Sequence, residues 1–239
     1  MSKIFLPNLI SNAVLSSDNL YRQGGRGLVC VFSLKNPAHP EYVCEAKSGV
    51  MCLDFHSNHP HMLVAGLYDG NVAVYNLQSS LTRPLNIAPL HESDAANGKH
   101  METVSQVKWL EDDLDNYLNF FSGKNTITAF LKQLYLSSCY LVSEDSRVTH
   151  WTLVKTTLTC CNKMILDFGK PLQNIDMEML RGTKFGSGAR ALAVKPDDPS
   201  VYLVGTEEGL IHLCTTEYSS KYLATFRAHN TPVGQFFRK

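Results

Sequence analysis

The stretch that decides the fold is residues 48–77, SGVMCLDFHSNHPHMLVAGLYDGNVAVYNL, because it holds three short apolar runs separated by turn residues. Each run has the length of a β-strand, and the Asp69-Gly70 pair between the second and third runs is a strong hairpin signal. A small sheet without a helix cannot bury both of its faces by itself. The stretch therefore predicts a sheet that needs similar sheets beside it.

The same unit recurs along the chain. Its hairpin and outgoing strand return as GRGLVCVF (25–32), EDSRVTHW (144–151) and EEGLIHLC (207–214), and its first strand returns at 104–109 and 189–194. Four-stranded repeats with a period of about 40–45 residues are typical of WD-type β-propeller blades. We therefore predict an all-β, incomplete WD-repeat β-propeller of about four blades.

The repeats also predict how the chain is divided. Residues 1–20 form an N-terminal lead, partly disordered or a single strand, residues 21–233 the partial propeller, and residues 234–239 a C-terminal tail. In the third blade the second strand begins at 118–122 and is interrupted by an insertion at 123–140. Because an open arc leaves strand edges unpaired, we expect the isolated chain to aggregate or to require a partner.

Composition narrows the possible functions. The chain has 44% hydrophobic residues, which supports a sizeable core. It has 22 basic and 22 acidic side chains, and this balance of charge argues against a nucleic-acid partner. No apolar stretch reaches the ~18 residues of a membrane span, so we expect a soluble, intracellular protein with no membrane partner. Seven cysteines without a C-x-x-C pair indicate reduced thiols used as small core residues.

Four residues with polar groups have the sequence spacing of the structural residues in a WD-type blade: His100, Ser143, Asp145 and Trp151. Buried polar groups need partners, so we predict that the four form one structural hydrogen-bond network that ties a loop to the strands. His229 and Thr206 repeat the first two positions in the next unit. A hydrolase triad is the alternative for a His-Ser-Asp set, but no G-x-S-x-G elbow accompanies it.

Other candidate sites have simpler explanations. His56, His59 and His61 could bind zinc, yet Pro60 and the turn around it favour a solvated turn without a metal. The glycine-rich runs at 24–27 and 182–188 do not match a phosphate-binding motif and are interpreted as turns. We therefore expect no catalytic residue, no metal and no cofactor.

Several long phrases resemble a known family: YRQGGRGLVCVFSLKNPAHPEYVCE, QVKWLEDDLDNYLNFFS, VTHWTLVK and LVGTEEGLIHLCTTEYSS, together with 48–77. They resemble the WD-repeat region of the outer-arm axonemal dynein intermediate chains over roughly 21–233, apart from the insertion. Compared with that family, we expect this chain to lack the extended N-terminal region, which carries light chains in the family, and to end where further blades would follow.

This resemblance implies a non-catalytic scaffold that binds the dynein heavy chain, alongside other intermediate and light chains, and that supports microtubule-based movement of cilia and flagella. It also implies a location in the cytoplasm, the cytoskeleton and the ciliary axoneme. A generic cytosolic WD-repeat adaptor outside dynein is the alternative.

Overall fold

The computed structural model describes the chain in ten ranges, 3–6, 9–14, 26–35, 37–78, 86–96, 98–110, 137–154, 157–166, 188–217 and 222–237. Every regular element within these ranges is a β-strand, so the described residues include no apolar helix that could cross a membrane. The strands form four sheets, each built around four antiparallel strands in chain order. The predicted all-β fold with four repeated units is confirmed.

We number the sheets as blades 1 to 4 in chain order. Blade 1 consists of β1 (Lys3–Leu6), β2 (Leu9–Val14), β3 (Gly27–Ser33) and β4 (Tyr42–Ala46). Blade 2 consists of β5 (Val50–Phe55), β6 (Met62–Leu67), β7 (Val72–Asn76) and, after the two-residue strand β8 (Asn86–Ile87), β9 (His91–Glu92). Blade 3 consists of β10 (Val104–Trp109), β11 (Ser137–Ser143), β12 (Arg147–Val154) and β13 (Thr157–Ile165). Blade 4 consists of β14 (Ala189–Val194), β15 (Val201–Thr206), β16 (Leu210–Thr215) and β17 (Ala224–Arg227).

The first strands of blades 2, 3 and 4 share one irregularity. Each skips a residue in its pairing with the second strand, directly after Val50, Val104 and Ala189. An extra residue of this kind bends a strand and increases its twist. The repeated bulge shows that the three blades follow one backbone plan, which allows positions to be compared between them.

Neighbouring blades pack face to face through apolar side chains. Val29 and Val31 of blade 1 share a core with Leu63 and Tyr75 of blade 2. The opposite face of blade 2 packs on blade 3, and the opposite face of blade 3 packs on blade 4. Alternate residues of a strand point to opposite faces, so a strand of a middle blade contributes side chains to the cores shared with both neighbouring blades.

The N-terminal lead is a correction to the sequence prediction. Residues 1–20 were expected to hold a single strand or a partly disordered segment, whereas β1 and β2 pair with each other and β2 pairs with β3. The apolar run predicts at most one strand, but the register Leu6↔Leu9 shows that it contains two paired strands. The two strands complete blade 1.

The predicted insertion also needs a correction at its C-terminal end. Residues 137–140, assigned to the insertion, are the first half of β11, where Cys139 pairs with both Trp109 and Trp151. Ser137 and Ser138 follow a leucine-rich run and obscured the start of the strand in the sequence. The remaining residues of the insertion, 123–136, and the strand predicted at 118–122 lie outside the described residues.

The connection between blades 2 and 3 first returns to the outer edge of blade 1. Within it, β8 pairs in parallel with β4 of blade 1, and β9 then pairs with β7 as the outer strand of blade 2. Neither of these two short pairings was predicted from the sequence. They place part of 86–96 along the outer edges of two blades.

Candidate functional site

A chain of polar side chains ties the turns of blade 3 to its strands. The imidazole of His100, which lies just before β10 and is 1% exposed, places Nδ1 2.9 and 3.0 Å from the two carboxylate oxygens of Asp145. Its Nε2 lies 2.9 Å from Oγ1 of Thr149 in β12. The indole Nε1 of Trp151 donates to the same Thr149 oxygen at 2.9 Å. We call His100, Asp145, Thr149 and Trp151 the blade 3 corner.

The hydrogen bonds of the corner are complementary when His100 is neutral. Trp151 donates to Thr149, the Thr149 hydroxyl donates to Nε2 of His100, and Nδ1–H of His100 donates to Asp145. Each group then uses the donor or acceptor that its chemistry provides. Because the Thr149 and Trp151 side chains are fully buried, an unmatched donor in the corner would be costly.

Asp145 is the anionic end of the corner. Burial alone would raise the pKa of its carboxyl, but the hydrogen bond from His100 and the charge and hydrogen bond of Arg147 outweigh burial and hold that pKa well below its usual range. The carboxylate also accepts the backbone N–H of Met101 at 3.1 Å and Nε–H of Arg147 at 2.8 Å. Arg147 in turn donates to the carbonyl of Lys99, which fastens the loop before β10 to the turn after β11.

The structure brings the four residues expected from sequence into one region, but Ser143 has a different position from the one assumed. Its hydroxyl lies 2.8 Å from the carbonyl oxygen of Thr103 and accepts the backbone N–H of Asp145 at 3.3 Å. The side-chain link between His100 and Trp151 is Thr149, which sequence reasoning missed. Since His100 is bonded to Asp145 and Thr149 rather than to Ser143, the arrangement is not that of a hydrolase triad.

Blade 4 repeats the loop geometry of blades 2 and 3 without the polar chain. The backbone N–H of His229 donates to the carbonyl of Gly209 at 3.4 Å, as that of His100 donates to Gly70 at 3.0 Å. However, Nδ1 of His229 is 3.1 Å from the hydroxyl of Thr231 in an exposed loop. Cys214 stands where blade 3 has Trp151. Blade 4 therefore repeats the backbone hydrogen bond of the histidine loop, but the side-chain network predicted at His229 and Thr206 does not form there.

A second buried carboxylate joins blade 2 to blade 3. Asp54 accepts the backbone N–H of Trp109 at 2.9 Å and Nζ of Lys108 at 3.2 Å, and its own carbonyl accepts the indole N–H of Trp109 at 3.1 Å. Burial raises the pKa of this carboxyl, and the Lys108 charge and the Trp109 bond only partly offset the effect. The only sign of this tie in the sequence is an aspartate inside the apolar run 50–55.

The histidines proposed as possible zinc ligands serve the turn after β5. Nδ1 of His56, whose ring is fully buried, accepts the backbone N–H groups of Asn58 at 3.1 Å and His59 at 3.2 Å. Its ring also lies 5.1 Å from the indole of Trp109, centre to centre. No metal-binding cluster of three or more suitable side chains occurs among the residues that the structure describes.

The cysteines are free thiols throughout the described ranges. Four of them are buried: Cys44, Cys52, Cys139 and Cys214. Burial raises the pKa of Cys44, Cys52 and Cys214 to about 12 in each case. A thiol is a nucleophile only as its thiolate, so these groups act as small apolar side chains.

The repeated sheets and the tied corner define the class as a WD-type β-propeller arc, and solved structures agree. The chain is similar to the β-propeller domain of Myceliophteria thermophila Cps50 (Swd1), with a TM-score of 0.57 and 8% identity over 95% of this chain and 55% of that chain. The computationally designed Ika8 protein matches with a TM-score of 0.55 and 14% identity over 99% of this chain and 52% of its own. The predicted propeller fold is confirmed.

Several sequence relatives of the chain are dynein intermediate chains. Dynein axonemal intermediate chain 1 of Bos taurus is 38% identical over 216 residues, which are 89% of this chain and 27% of that protein. Dynein intermediate chain 2, ciliary, of Heliocidaris crassispina is 39% identical over 213 residues, and the 78 kDa intermediate chain of the flagellar outer arm of Chlamydomonas reinhardtii is 34% identical over 210 residues.

The chain is therefore a homologue of the axonemal dynein intermediate chains, and the resemblance noted in its sequence is confirmed. It spans 27% of the length of these three relatives. No protein-family model matches the chain.

Proposed function

We propose that this chain is a non-catalytic WD-repeat scaffold of an outer-arm axonemal dynein, and that it binds the dynein heavy chain to support ciliary and flagellar movement. The observation that carries the proposal is 38% identity to an axonemal dynein intermediate chain across 89% of this chain. The same family relationship favours the axoneme as its location and dynein over a generic cytosolic adaptor. Other dynein intermediate and light chains are the further partners of such a complex.

The site geometry supports a scaffold rather than an enzyme. The buried polar groups of the blade 3 corner bond to one another or to backbone, and Asp54 bonds to Trp109 and Lys108. Each of these bonds fastens a loop or a neighbouring strand. Their chemistry is that of structural ties, and the rims are left for partner binding.

We place the heavy-chain contact on the rim that carries the turn after β6 and the loop before β10. Tyr68 in that turn is 54% exposed and Met101 in that loop is 63% exposed. Thr103 donates its hydroxyl to the carbonyl of Tyr68, which holds the turn and the loop together. Exposed apolar side chains on a rigid loop are typical of protein-binding surfaces.

Affinity isolation from ciliated cells tests the proposal. The 239-residue chain, tagged and expressed in such cells, should be recovered in axonemes and should co-purify with a dynein heavy chain. A double variant with Tyr68→Glu and Met101→Glu should lose the heavy chain, whereas Leu90→Glu, an exposed apolar position on the outer edge of blade 2, should retain it. Recovery outside the axoneme with other cytosolic proteins and no heavy chain would instead support the adaptor alternative.

A further inference from the structure

Three exposed apolar side chains lie on adjoining segments of the rim that we assign to heavy-chain binding. They belong to Met51, Tyr68 and Met101, which are 39%, 54% and 63% exposed. The backbone N–H of Tyr68 donates to the carbonyl of Gly49, two residues before Met51, at 2.8 Å. The carbonyl of Tyr68 accepts the hydroxyl of Thr103, two residues after Met101, at 3.2 Å. The turn of Tyr68 is therefore bonded to both segments that carry the methionines, and we call the three side chains the rim patch.

The fold does not require apolar side chains at the first two of these positions. Met51 is the extra residue of the bulge in the first strand of blade 2, and blades 3 and 4 have the same bulge. Tyr68 begins the turn after the second strand, where its N–H bond to the preceding loop also recurs. The equivalent residues of blades 3 and 4 are polar or charged: Ser105 and Arg190 for Met51, and Glu144 and Glu207 for Tyr68.

The third position shows the same difference. Met101 follows the histidine of the loop before β10, and the histidine of the matching loop after blade 4 is followed by Asn230. The loop before β5 has Lys47 at this point, and its ammonium lies 2.6 Å from the carboxylate of Glu92. Among the blades compared, all three positions are apolar only where blade 2 meets blade 3. This difference indicates a binding role for the rim patch, since the framework accepts polar residues at the same points.

A partner meets the rim patch through side chains, because the backbone of the loop before β10 is already hydrogen-bonded. The N–H of Met101 donates to the carboxylate of Asp145 at 3.1 Å. The carbonyl of Thr103 accepts the hydroxyl of Ser143 at 2.8 Å. The loop is thus fixed to the turn of blade 3, and it presents the thioether of Met101 rather than an unpaired strand edge.

The two methionines give the rim patch a specific chemistry. Hydrogen peroxide converts a thioether to a sulfoxide: the O–O bond breaks, one oxygen atom bonds to sulfur, and water leaves. Sulfur is oxidised by two electrons and the peroxide is reduced, and the side chain changes from apolar to polar. The exposed Met101 and Met51 are open to this reaction. By contrast, Met62 and Met164 are 9% and 1% exposed.

We propose that the rim patch is a redox-sensitive docking surface, where oxidation of Met101 and Met51 by hydrogen peroxide prevents the partner from binding. This role rests on the heavy-chain contact assigned to Tyr68 and Met101, and it adds Met51 and a chemical control of that contact. A sulfoxide is strongly solvated, so its burial against an apolar partner surface is unfavourable, whereas burial of a thioether is favourable. The loop keeps its structure on oxidation, because its hydrogen bonds do not use either sulfur atom.

Peroxide treatment of the purified free chain tests the proposal. The tagged 239-residue chain is treated with hydrogen peroxide, freed of the oxidant and incubated with axonemal extract, and the recovered dynein heavy chain is quantified. Mass spectrometry should find sulfoxide at Met101 and Met51 before it appears at the two buried methionines. Recovery should fall at least about fivefold relative to the untreated chain. Methionine sulfoxide reductases for both epimers, with dithiothreitol as the reductant, should restore it.

The matched control is a double variant, Met51→Leu with Met101→Leu, whose apolar side chains are not oxidised by peroxide. All seven cysteines and the other five of the seven methionines remain in this variant, so it also reports the effect of their oxidation. Each chain is compared with its own untreated sample, and the double variant should lose less than about twofold. Met62→Leu, at a buried position, should respond to peroxide as the native chain does.

The results distinguish a failure of the redox role from a failure of the proposed function. If the untreated native chain recovers no heavy chain, both are overturned. If it recovers the heavy chain but peroxide does not lower the recovery, or lowers it equally in the double variant, only the redox role is overturned. A loss of the far-UV circular dichroism signal on treatment would also overturn it, since unfolding would then explain the lost binding.

Discussion

Blades 2 and 3 each bury an aromatic residue at the same position of the third strand, but its polar atom bonds to a different part of the fold in each blade. Tyr75 in β7 and Trp151 in β12 occupy equivalent places, and both side chains are fully buried. Tyr75 donates its hydroxyl across the seam to the carbonyl of Glu45 in blade 1 at 2.9 Å. Trp151 instead joins Thr149 within its own blade and, through it, His100.

The difference shows that one backbone plan can use a buried aromatic residue for two purposes. In blade 2 the polar tip of the aromatic residue fastens a neighbouring blade. In blade 3 it fastens the blade's own turn and the loop that enters it.

Removal of the indole should have the largest effect. Trp151→Ala leaves a cavity and removes one of the two hydrogen bonds of the Thr149 hydroxyl, so the free energy of unfolding should fall by about 3–5 kcal/mol. Urea unfolding followed by far-UV circular dichroism measures this. Trp151→Phe keeps most of the apolar volume and should cost less. Equal losses for the two variants would show that the hydrogen bond, rather than packing, dominates at this position.

The turn glycine of blade 2 should tolerate no side chain. Gly70 has a φ of 83°, and a Cβ there would meet the carbonyl oxygen of His100. A left-handed conformation costs an L-residue about 1–2 kcal/mol, so Gly70→Ala should destabilise the chain by more than this. Blade 3 is the control, because Ser146 already adopts a φ of 67° at the equivalent place. Ser146→Ala should have a smaller effect than Gly70→Ala, and the reverse order would contradict the comparison.

The anionic end of the corner should contribute more than its counterpart in blade 2. Asp145→Ala leaves His100 and two backbone donors without an acceptor and should cost about 1–3 kcal/mol. Asp69 stands at the same point of the blade 2 turn but is more exposed, so Asp69→Ala should cost less than about 1 kcal/mol. Thermal unfolding of the two variants under identical conditions makes the comparison, and a larger loss for Asp69→Ala would refute it.

The same carboxylate should make stability sensitive to acid. The pKa of Asp145 is lower in the folded chain than its unfolded value of about 4. Its contribution to stability is therefore complete above that value and declines as pH falls below it. Urea unfolding at pH values from about 3 to about 7, which include the carboxyl titration, should show a steeper loss of stability in acid for the native chain than for Asp145→Asn. Parallel curves would rule out this role.

Loss of the hydrogen bond between Tyr75 of blade 2 and Glu45 of blade 1 should have the smallest effect on stability. Tyr75→Phe removes the hydroxyl that donates to Glu45, so we expect a loss of about 0.5–1.5 kcal/mol with the ring packing intact. Because the bond crosses between blades, hydrogen exchange should become faster in β4 as well as in β7. Faster exchange confined to β7 would indicate that the bond has no influence across the seam.

Most of the fold could be predicted because its signals are local. Val50–Phe55, Val104–Trp109 and Ala189–Val194 were predicted with the bounds that the structure shows, since apolar runs of strand length are flanked there by turn residues. The pairing of β8 with β4 could not be predicted. It involves two residues, and so short a strand leaves no periodic pattern in a sequence.

The corner was harder to predict than the sheets. His100, Asp145 and Trp151 stand at recognisable spacings from the strands. Thr149 was missed because a threonine in a strand is ordinary for its β-branched shape, and nothing local distinguishes one that bonds to a distant histidine. Sequence spacing can place a residue on a strand, whereas its hydrogen-bond partner depends on which loop packs beside it.

The backward crossing of β8 has a consequence for the order in which the chain folds during synthesis. Blade 1 receives its fifth strand from residues 86–87, which follow all three inner strands of blade 2. Blade 2 receives its outer strand only at residues 91–92. As the polypeptide leaves the ribosome, neither sheet can be finished before the other is nearly complete. The first two blades therefore mature as one cooperative unit, whereas blade 3 is closed entirely by its own consecutive strands.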